Sequence, residues 1–250
     1  MSTIALQRGK PIELVKSGDM KPYNDYLYLY PPRPEFALSP DRIPYYEKQG
    51  YHGQFKKNGC SCAIAISPVG YGFQNEPTTR LPGSAPAHGR WYSTMNRHRE
   101  PHKAWQLTAH IKEVFHELLP KDQWTYVVAE LLNGKTTTSD VRDTLYIHDI
   151  LVMNSTYLLG TRQDQRQQWL ADLFPSNVES YSHFIITEKV WRARTFKDKL
   201  EERFLAIKDP RFDEGIVLKK PDGILKLCDI EKNNTSWQAK CRYPTKIYNF

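Results

Sequence analysis

The sequence predicts an α+β chain, on three observations. Several apolar runs have strand length, a few segments space their apolar residues at helical intervals and stop near proline, and Pro exceeds Gly by 17 to 13, which marks many strand ends and ordered loops rather than long helices. With 250 residues, 40% of them hydrophobic, the chain can bury a substantial core, and one large domain is the economical reading.

Residues 1–50 read as an irregular arm packed on the domain, punctuated by Pro31, Pro32, Pro34, Pro40 and Pro44 and rich in tyrosine (Tyr23, Tyr26, Tyr28, Tyr30). The domain proper is expected over 51–250. Gln54 to Ser67 reads as a hairpin-like unit, in which the run Cys62-Ala63-Ile64-Ala65-Ile66 follows a Lys56-Lys57-Asn58-Gly59 turn. Prolines and glycines over 74–90 signal a loop, and Arg90 to Asn96 offers a strand.

Trp105, Leu107, Ile111, Val114, Phe115, Leu118 and Leu119 approximate helical spacing and end at Pro120. Two strongly apolar strands follow, Trp124 to Leu132 and Thr144 to Met153, and then a Gln- and Arg-rich helix over Arg162 to Leu173. A strand is expected over His183 to Val190 and a helix over Phe196 to Ile207. Two last strands, Gly215 to Lys219 and Ile224 to Asp229, flank the turn Pro221-Asp222-Gly223. No internal repeat or low-complexity tract divides the chain.

A net charge of +7 tilts expectation toward an anionic partner without deciding it. No signal-peptide pattern opens the chain and no apolar run approaches membrane length, so a cytoplasmic protein is expected. Cys60, Cys62, Cys228 and Cys241 form no CxxC pair, which argues against a zinc site or a disulfide framework and for reduced core thiols.

Three short segments carry candidate chemistry. In Gln54-Phe55-Lys56-Lys57-Asn58-Gly59, strand alternation places Gln54, Lys56 and Asn58 on one face. A lysine there can attack phosphorus once its neutral amine is available; a basic turn is the plainer reading of the string alone. In Glu214-Gly215-Ile216-Val217-Leu218-Lys219, glycine allows close backbone approach, and the strand delivers a carboxylate and a cation from its ends. Trp237-Gln238-Ala239-Lys240 delivers a further cation. Their order, with Glu130 and Asp149 inside the strands between them, carries the weight.

That succession resembles the covalent nucleotidyltransferase superfamily of ATP-dependent DNA ligases, RNA ligases and messenger-RNA capping guanylyltransferases, over about Gln54 to Lys240. The resemblance implies an ATP-grasp-like nucleotidyltransferase domain with antiparallel sheets flanked by helices. Lys56-Lys57-Asn58-Gly59 matches the family's K-x-D/N-G turn, which makes Lys56 the nucleophile and sets Asn58 and Gly59 at the nucleotide. Glu214 to Lys219 matches the E-G-x-V-x-K strand. Lys219 and Lys240 are then implied as phosphate contacts, with Gln238 where the family usually has the first lysine of K-x-K.

By the same resemblance, Glu130 contacts the ribose, and His148 takes the place of the aromatic that stacks on the purine. Arg97, or Arg99 beside it, serves the ribose or the donor strand. Gln54 stands where a side chain reads the adenine edge, an amide being able both to donate and to accept. The implied cofactors are ATP and Mg, with Mn possible in its place, and Glu214 and Glu130 are the implied metal contacts.

The implied activity is joining of 5′-phosphate and 3′-hydroxyl strand ends through a lysyl-AMP intermediate, by a monomer that binds RNA or DNA strand ends and no membrane. Ten residues follow Lys240, so no C-terminal OB-fold is expected. Ser61 stands where many family members place an arginine. Both departures favour RNA slightly over nicked DNA. A minimal DNA ligase, a capping-type guanylyltransferase and a non-catalytic nucleic-acid-binding relative are the alternatives. The basic stretches Arg90, Arg97, Arg99, Lys103 and Arg192, Arg194, Lys197, Lys199 are candidate grips on the substrate, or else solvated charge.

Overall fold

The computed structural model describes residues 30–70, 88–98, 102, 107–132, 141–228 and 232–244, together with the backbone of two short antiparallel strands, β1 (Ile4–Gln7) and β2 (Lys10–Glu13). In chain order there follow β3 (Arg33–Leu38), α1 (Ile43–Lys48), β4 (His52–Lys57), β5 (Cys60–Ile66), β6 (Tyr92–Met95), α2 (Ala109–Leu118), β7 (Thr125–Leu132) and β8 (Thr144–Met153). The remainder comprises β9 (Thr156–Tyr157), α3 (Gln163–Leu173), β10 (His183–Thr187), β11 (Val190–Ala193), α4 (Leu200–Leu205), β12 (Asp213–Lys219) and β13 (Asn234–Arg242). The loop expected over 74–90 and the start of the helical pattern at Trp105 fall largely outside the described residues.

Two sheets carry the molecule. The larger runs β10-β11-β8-β7-β5-β6, with β9 paired to β8, and the smaller runs β3-β13-β12-β4. Both are mixed rather than purely antiparallel, because β11 runs parallel to β8 and β3 parallel to β13. The second pairing recasts the expected arm: residues 33–48 form an edge strand and a helix.

Each sheet has its own core. Ile64, Val127, Ile147 and Ile150 of the larger sheet pack with Ile111 and Phe115 of α2 and with Leu170 of α3, all fully buried, each such side chain worth about 1.5–3 kcal/mol. The smaller sheet packs Phe55, Ile216 and Leu218 against Ile43 of α1 and against Leu200 and Phe204 of α4. Helix α2 begins where Thr108 caps the Ile111 amide at 3.3 Å and ends before Pro120. Helix α4 is shorter than its apolar pattern suggests. Lys199 turns left-handed at φ +55°, and the carboxylate of Glu47 on α1 accepts from the Lys199 and Leu200 amides at 2.8 and 2.9 Å.

Four sequence expectations are corrected here. Gln54 to Ser67 is no hairpin: β4 pairs with β12 and β5 with β6 and β7, so Asn58 and Gly59 pass the chain from one sheet to the other. His183 to Val190 is interrupted after Thr187 and returns as β11. Ile224 makes an isolated bridge with Arg162 rather than opening a strand. The four cysteines are free, and Cys60 is exposed rather than in the core.

Candidate active site

Between the two sheets lies a cavity of about 700 Å³. Strand alternation aims one face of the smaller sheet at it. In the β4–β12 register Gln54 lies opposite Val217 and Lys56 opposite Gly215; in the β12–β13 register Val217 lies opposite Lys240 and Lys219 opposite Gln238. All of these except Gly215 line the cavity, with Arg242 two positions beyond Lys240. Glu130 of β7 and His148 of β8 face them from the larger sheet, and Arg33 and Arg97 complete the rim.

The Lys56 amine donates to one carboxylate oxygen of Glu214, and the Arg242 guanidinium donates to the other. Its neighbour Lys57 is committed elsewhere: its ammonium lies 2.6 Å from Asp213 and 2.8 Å from the Ser182 hydroxyl, with both ion-pair partners fully buried. Burial pulls the Lys57 pKa down, opposed by Asp213. Of the two adjacent lysines, Lys56 is therefore the one available for chemistry.

Several groups are held away from their ordinary ionisation. Burial raises Glu130 to about 7, reinforced by Glu214 and opposed by Lys56 and by the Gly59 amide. Burial lowers Lys219 to about 8, with Asp149 opposing and Arg166 reinforcing. His148 falls to about 3 through burial and the nearby Lys219 charge, so its ring is neutral at physiological pH. Lys240 is lowered by burial first and then by the cations Lys56, Arg242 and Arg33 around it. The site thus concentrates positive charge about a primary amine, a setting suited to polyphosphate.

The structure brings together every predicted site residue. Asn58, although at the cavity, is engaged by the protein itself, since its side chain donates to the Arg211 carbonyl at 2.9 Å and its amide to the Phe212 carbonyl at 2.9 Å. Gly59 is needed for close approach, since a Cβ there would lie 2.6 Å from the Leu131 carbonyl oxygen and 2.7 Å from Cγ of Glu130. Arg97 lies at the rim, with Nε 3.0 Å from Nε2 of His98, while Arg99 and Lys103 fall outside the described residues. Arg90 is no substrate grip: it is fully buried and donates to the carbonyls of Leu119 at 3.0 Å and Pro120 at 2.5 Å.

Sequence reasoning missed Arg242 and Arg33. Continuing the alternation of Gln238 and Lys240 by one step would have found Arg242. Arg33 carried no local signal, because its place follows from a parallel pairing about 200 residues apart in the chain. A second cavity, of about 770 Å³, adjoins the first and shares Gln54 and Lys219 with it; its one carboxylate, Asp164, is tied to Arg162.

Among the described residues no cluster of three or more His, Cys, Asp or Glu side chains could hold a metal ion, and no helix is long and apolar enough to cross a membrane. By sequence the chain matches no family model and no curated protein. By structure it is similar to mycobacterial DNA ligase D solved with ATP (13% identity, 86% of this chain and 60% of that one, TM-score 0.55) and to the ligase domain of M. tuberculosis LigD (13%, 86% and 60%, TM-score 0.51). The ATP-dependent DNA ligase of bacteriophage T7, solved with ATP, is similar to the same degree (13%, 86% and 69%, TM-score 0.50). The chain spans about 60% of the length of the first two. What it shares with all three is architecture: two packed sheets with helices outside, the nucleotidyltransferase-domain fold of ATP-dependent polynucleotide ligases.

Proposed function

We propose that the chain is an ATP-dependent polynucleotide ligase that carries AMP covalently on Lys56. The observation that supports this most is the commitment of the two adjacent lysines to different partners. Lys57 is buried against Asp213, whereas Lys56 meets the Glu214 carboxylate inside a cavity walled by Lys219, Lys240 and Arg242.

In the first step the neutral Lys56 amine attacks the α-phosphorus of ATP, forming a P–N bond as the bond to pyrophosphate breaks. Glu214, already the acceptor of the Lys56 hydrogen bond, is placed to take the amine's proton. AMP then passes to a 5′-phosphate end with release of the amine, and a 3′-hydroxyl displaces AMP to close the phosphodiester. Lys219, Lys240 and Arg242 offset the charge that develops on the phosphate oxygens. The neutral His148 ring lies against the base, and Glu130 accepts from the ribose hydroxyls.

Glu130 and Glu214 suit a divalent cation: the Glu214 carboxylate lies close enough to raise the proton affinity of Glu130, and a positive charge between the two would offset that repulsion. When bound, Mg, or Mn in its place, would polarise the phosphate oxygens. The substrate is a polynucleotide strand end. An RNA strand is favoured by Ser61, which stands where many members of the family that the chain resembles place an arginine that RNA ligases often lack. Nicked DNA is the second reading, favoured by the DNA ligases among the structural neighbours. We place the activity in the cytoplasm, in a monomer.

Incubation with α-labelled ATP tests the first step, with an acid-labile, alkali-stable protein adduct expected. Nicked duplexes with each strand offered as RNA or DNA assign the substrate. Absence of any adduct in the presence of Mg or Mn would defeat the proposal.

A further inference from the structure

Gln54 is buried, 3% exposed, on the strand that carries Lys56 two positions later, and it lines the same cavity as His148. Which end of its amide faces the cavity follows from its neighbours. The His148 backbone carbonyl can only accept, and Nε2 of Gln167 donates to it at 3.0 Å. That contact fixes the Gln167 amide, so its Oε1 points to Gln54 and accepts from Nε2 of Gln54 at 2.7 Å. The second hydrogen of Nε2 goes to the Thr195 hydroxyl at 2.9 Å, and that hydroxyl's own proton faces Oε1 of Gln167 at 3.5 Å.

Both hydrogens of the Gln54 amide are therefore taken. Its Oε1 accepts no hydrogen bond among the described residues. Rotating the amide by half a turn would set oxygen against oxygen at Gln167 and leave a buried donor without its acceptor, an unfavourable exchange. The expectation that Gln54 both donates to and accepts from a base is thereby narrowed.

We propose that Gln54 offers the bound base a hydrogen-bond acceptor alone, its polarity set by an amide chain anchored on the His148 carbonyl, so that the site takes a purine with an amino group at position 6 and rejects one with an oxygen there. This rests on the nucleotide-binding reading above. Gln167 and Thr195 are positioning residues: they need touch no substrate, and their effect is to keep the carbonyl of Gln54 turned inward. A buried acceptor facing a carbonyl oxygen discriminates strongly, because neither group can be satisfied.

The test measures equilibrium binding of ATP, GTP and purine riboside triphosphate, which carries only hydrogen at position 6, to the full chain and to Gln167→Met and Thr195→Val. The wild type is expected to prefer ATP over GTP by about 100-fold, with the unsubstituted purine between them. Gln167→Met frees the Gln54 amide to rotate and is expected to bring the ratio below about tenfold, with Thr195→Val moving it the same way by less. A purely structural role would weaken both nucleotides together and leave their ratio alone. An unchanged ratio in Thr195→Val and in a folded Gln167→Met, or equal binding of ATP and GTP by the wild type, overturns the proposal. Binding of neither nucleotide by the wild type overturns the nucleotide reading itself, and this inference with it.

Discussion

Lys56 of β4 and Glu214 of β12 meet across neighbouring antiparallel strands, the lysine standing opposite Gly215, so that the amine donates to one carboxylate oxygen while Arg242 donates to the other. Replacing the amine should then remove covalent chemistry without removing the fold. Lys56→Ala is expected to give no labelled adduct with α-labelled ATP. Lys56→Arg should give none either, because a guanidinium is not deprotonated in proteins. Retained labelling of Lys56→Ala would move the nucleophile elsewhere.

Lys57→Ala should behave in the opposite sense. It leaves Asp213 buried with the Tyr181 hydroxyl and no cation, a loss expected to cost about 3–5 kcal/mol of stability. Denaturant unfolding measures this, and adduct mapping on whatever protein folds should still find AMP on Lys56. A variant as stable as the wild type would contradict the burial of that pair.

The pH profile follows from two groups with shifts in opposite senses. On the proposed function, nucleotide binding needs Glu130 ionised and Lys219 protonated, and these have pKa values of about 7 and about 8 in the free protein. The profile of kcat/KM for ATP should be a narrow bell between them. Glu130→Gln should flatten the acid limb and Lys219→Arg the alkaline one.

Stability has its own signs. The folded state holds the Glu130 proton more tightly than the unfolded chain, so this group's contribution is complete below about 4.5 and is lost as pH rises through about 7. Lys219 holds its proton less tightly when folded, so its contribution grows as pH rises from about 8 to 10.5. Near pH 7.5 both groups are charged and both oppose folding. Glu130→Gln is therefore expected to raise Tm at pH 8 and to leave it little changed at pH 4, which thermal scans at the two pH values check.

The chemistry was legible in the sequence further than the architecture was. Lys56, Glu214, Lys219 and Lys240 could be named because the order of three short segments resembles a known family; alternation aims Gln54 with Lys56 and Val217 with Lys219, whereas the register shift between Asp213 and Gly215, beside Glu214, left no mark in the sequence. The apolar run from Cys62 to Ile66 was equally legible as a strand. Its partner was not: Asn58-Gly59 looks locally like a hairpin turn, and only the register of β12 against β4 shows that the chain changes sheets there. Likewise, the polar helix over Gln163–Leu173 has a fully buried Arg166 that donates to Asp149 at 3.0 Å. Helical periodicity counts such residues as surface, whereas a buried ion pair between distant segments leaves no periodic mark.

Gly59 joins those two levels, since its lack of a side chain lets the crossover pass against β7. A Cβ would press on the Leu131 carbonyl and on Glu130 itself, and backbone at one of those contacts cannot yield cheaply. Gly59→Ala is expected to destabilise the fold by about 1–3 kcal/mol and to weaken ATP binding as Glu130 is displaced. Calorimetry with ATP on the folded variant checks the second effect; unchanged affinity would detach Glu130 from the nucleotide.

The basic segment that begins in β11 divides by what each cation already does. Arg194 lies 2.8 Å from Glu179, and Arg192 donates to the Phe174 carbonyl at 3.0 Å with its guanidinium 4.2 Å from the centre of the Phe184 ring. Lys197 is exposed and lines the second cavity beside Lys219. If strand ends approach over this face, Lys197 is the cation free to displace counterions from a phosphate. Lys197→Ala should then reduce the slope of log Kd against log salt by about 0.7–0.9, the value for one phosphate contact. Arg194→Ala should leave the slope nearly unchanged, because its charge is already compensated by Glu179. Titrating a labelled nicked duplex at several salt concentrations decides it, and equal slopes for wild type and Lys197→Ala would place the strand on another face.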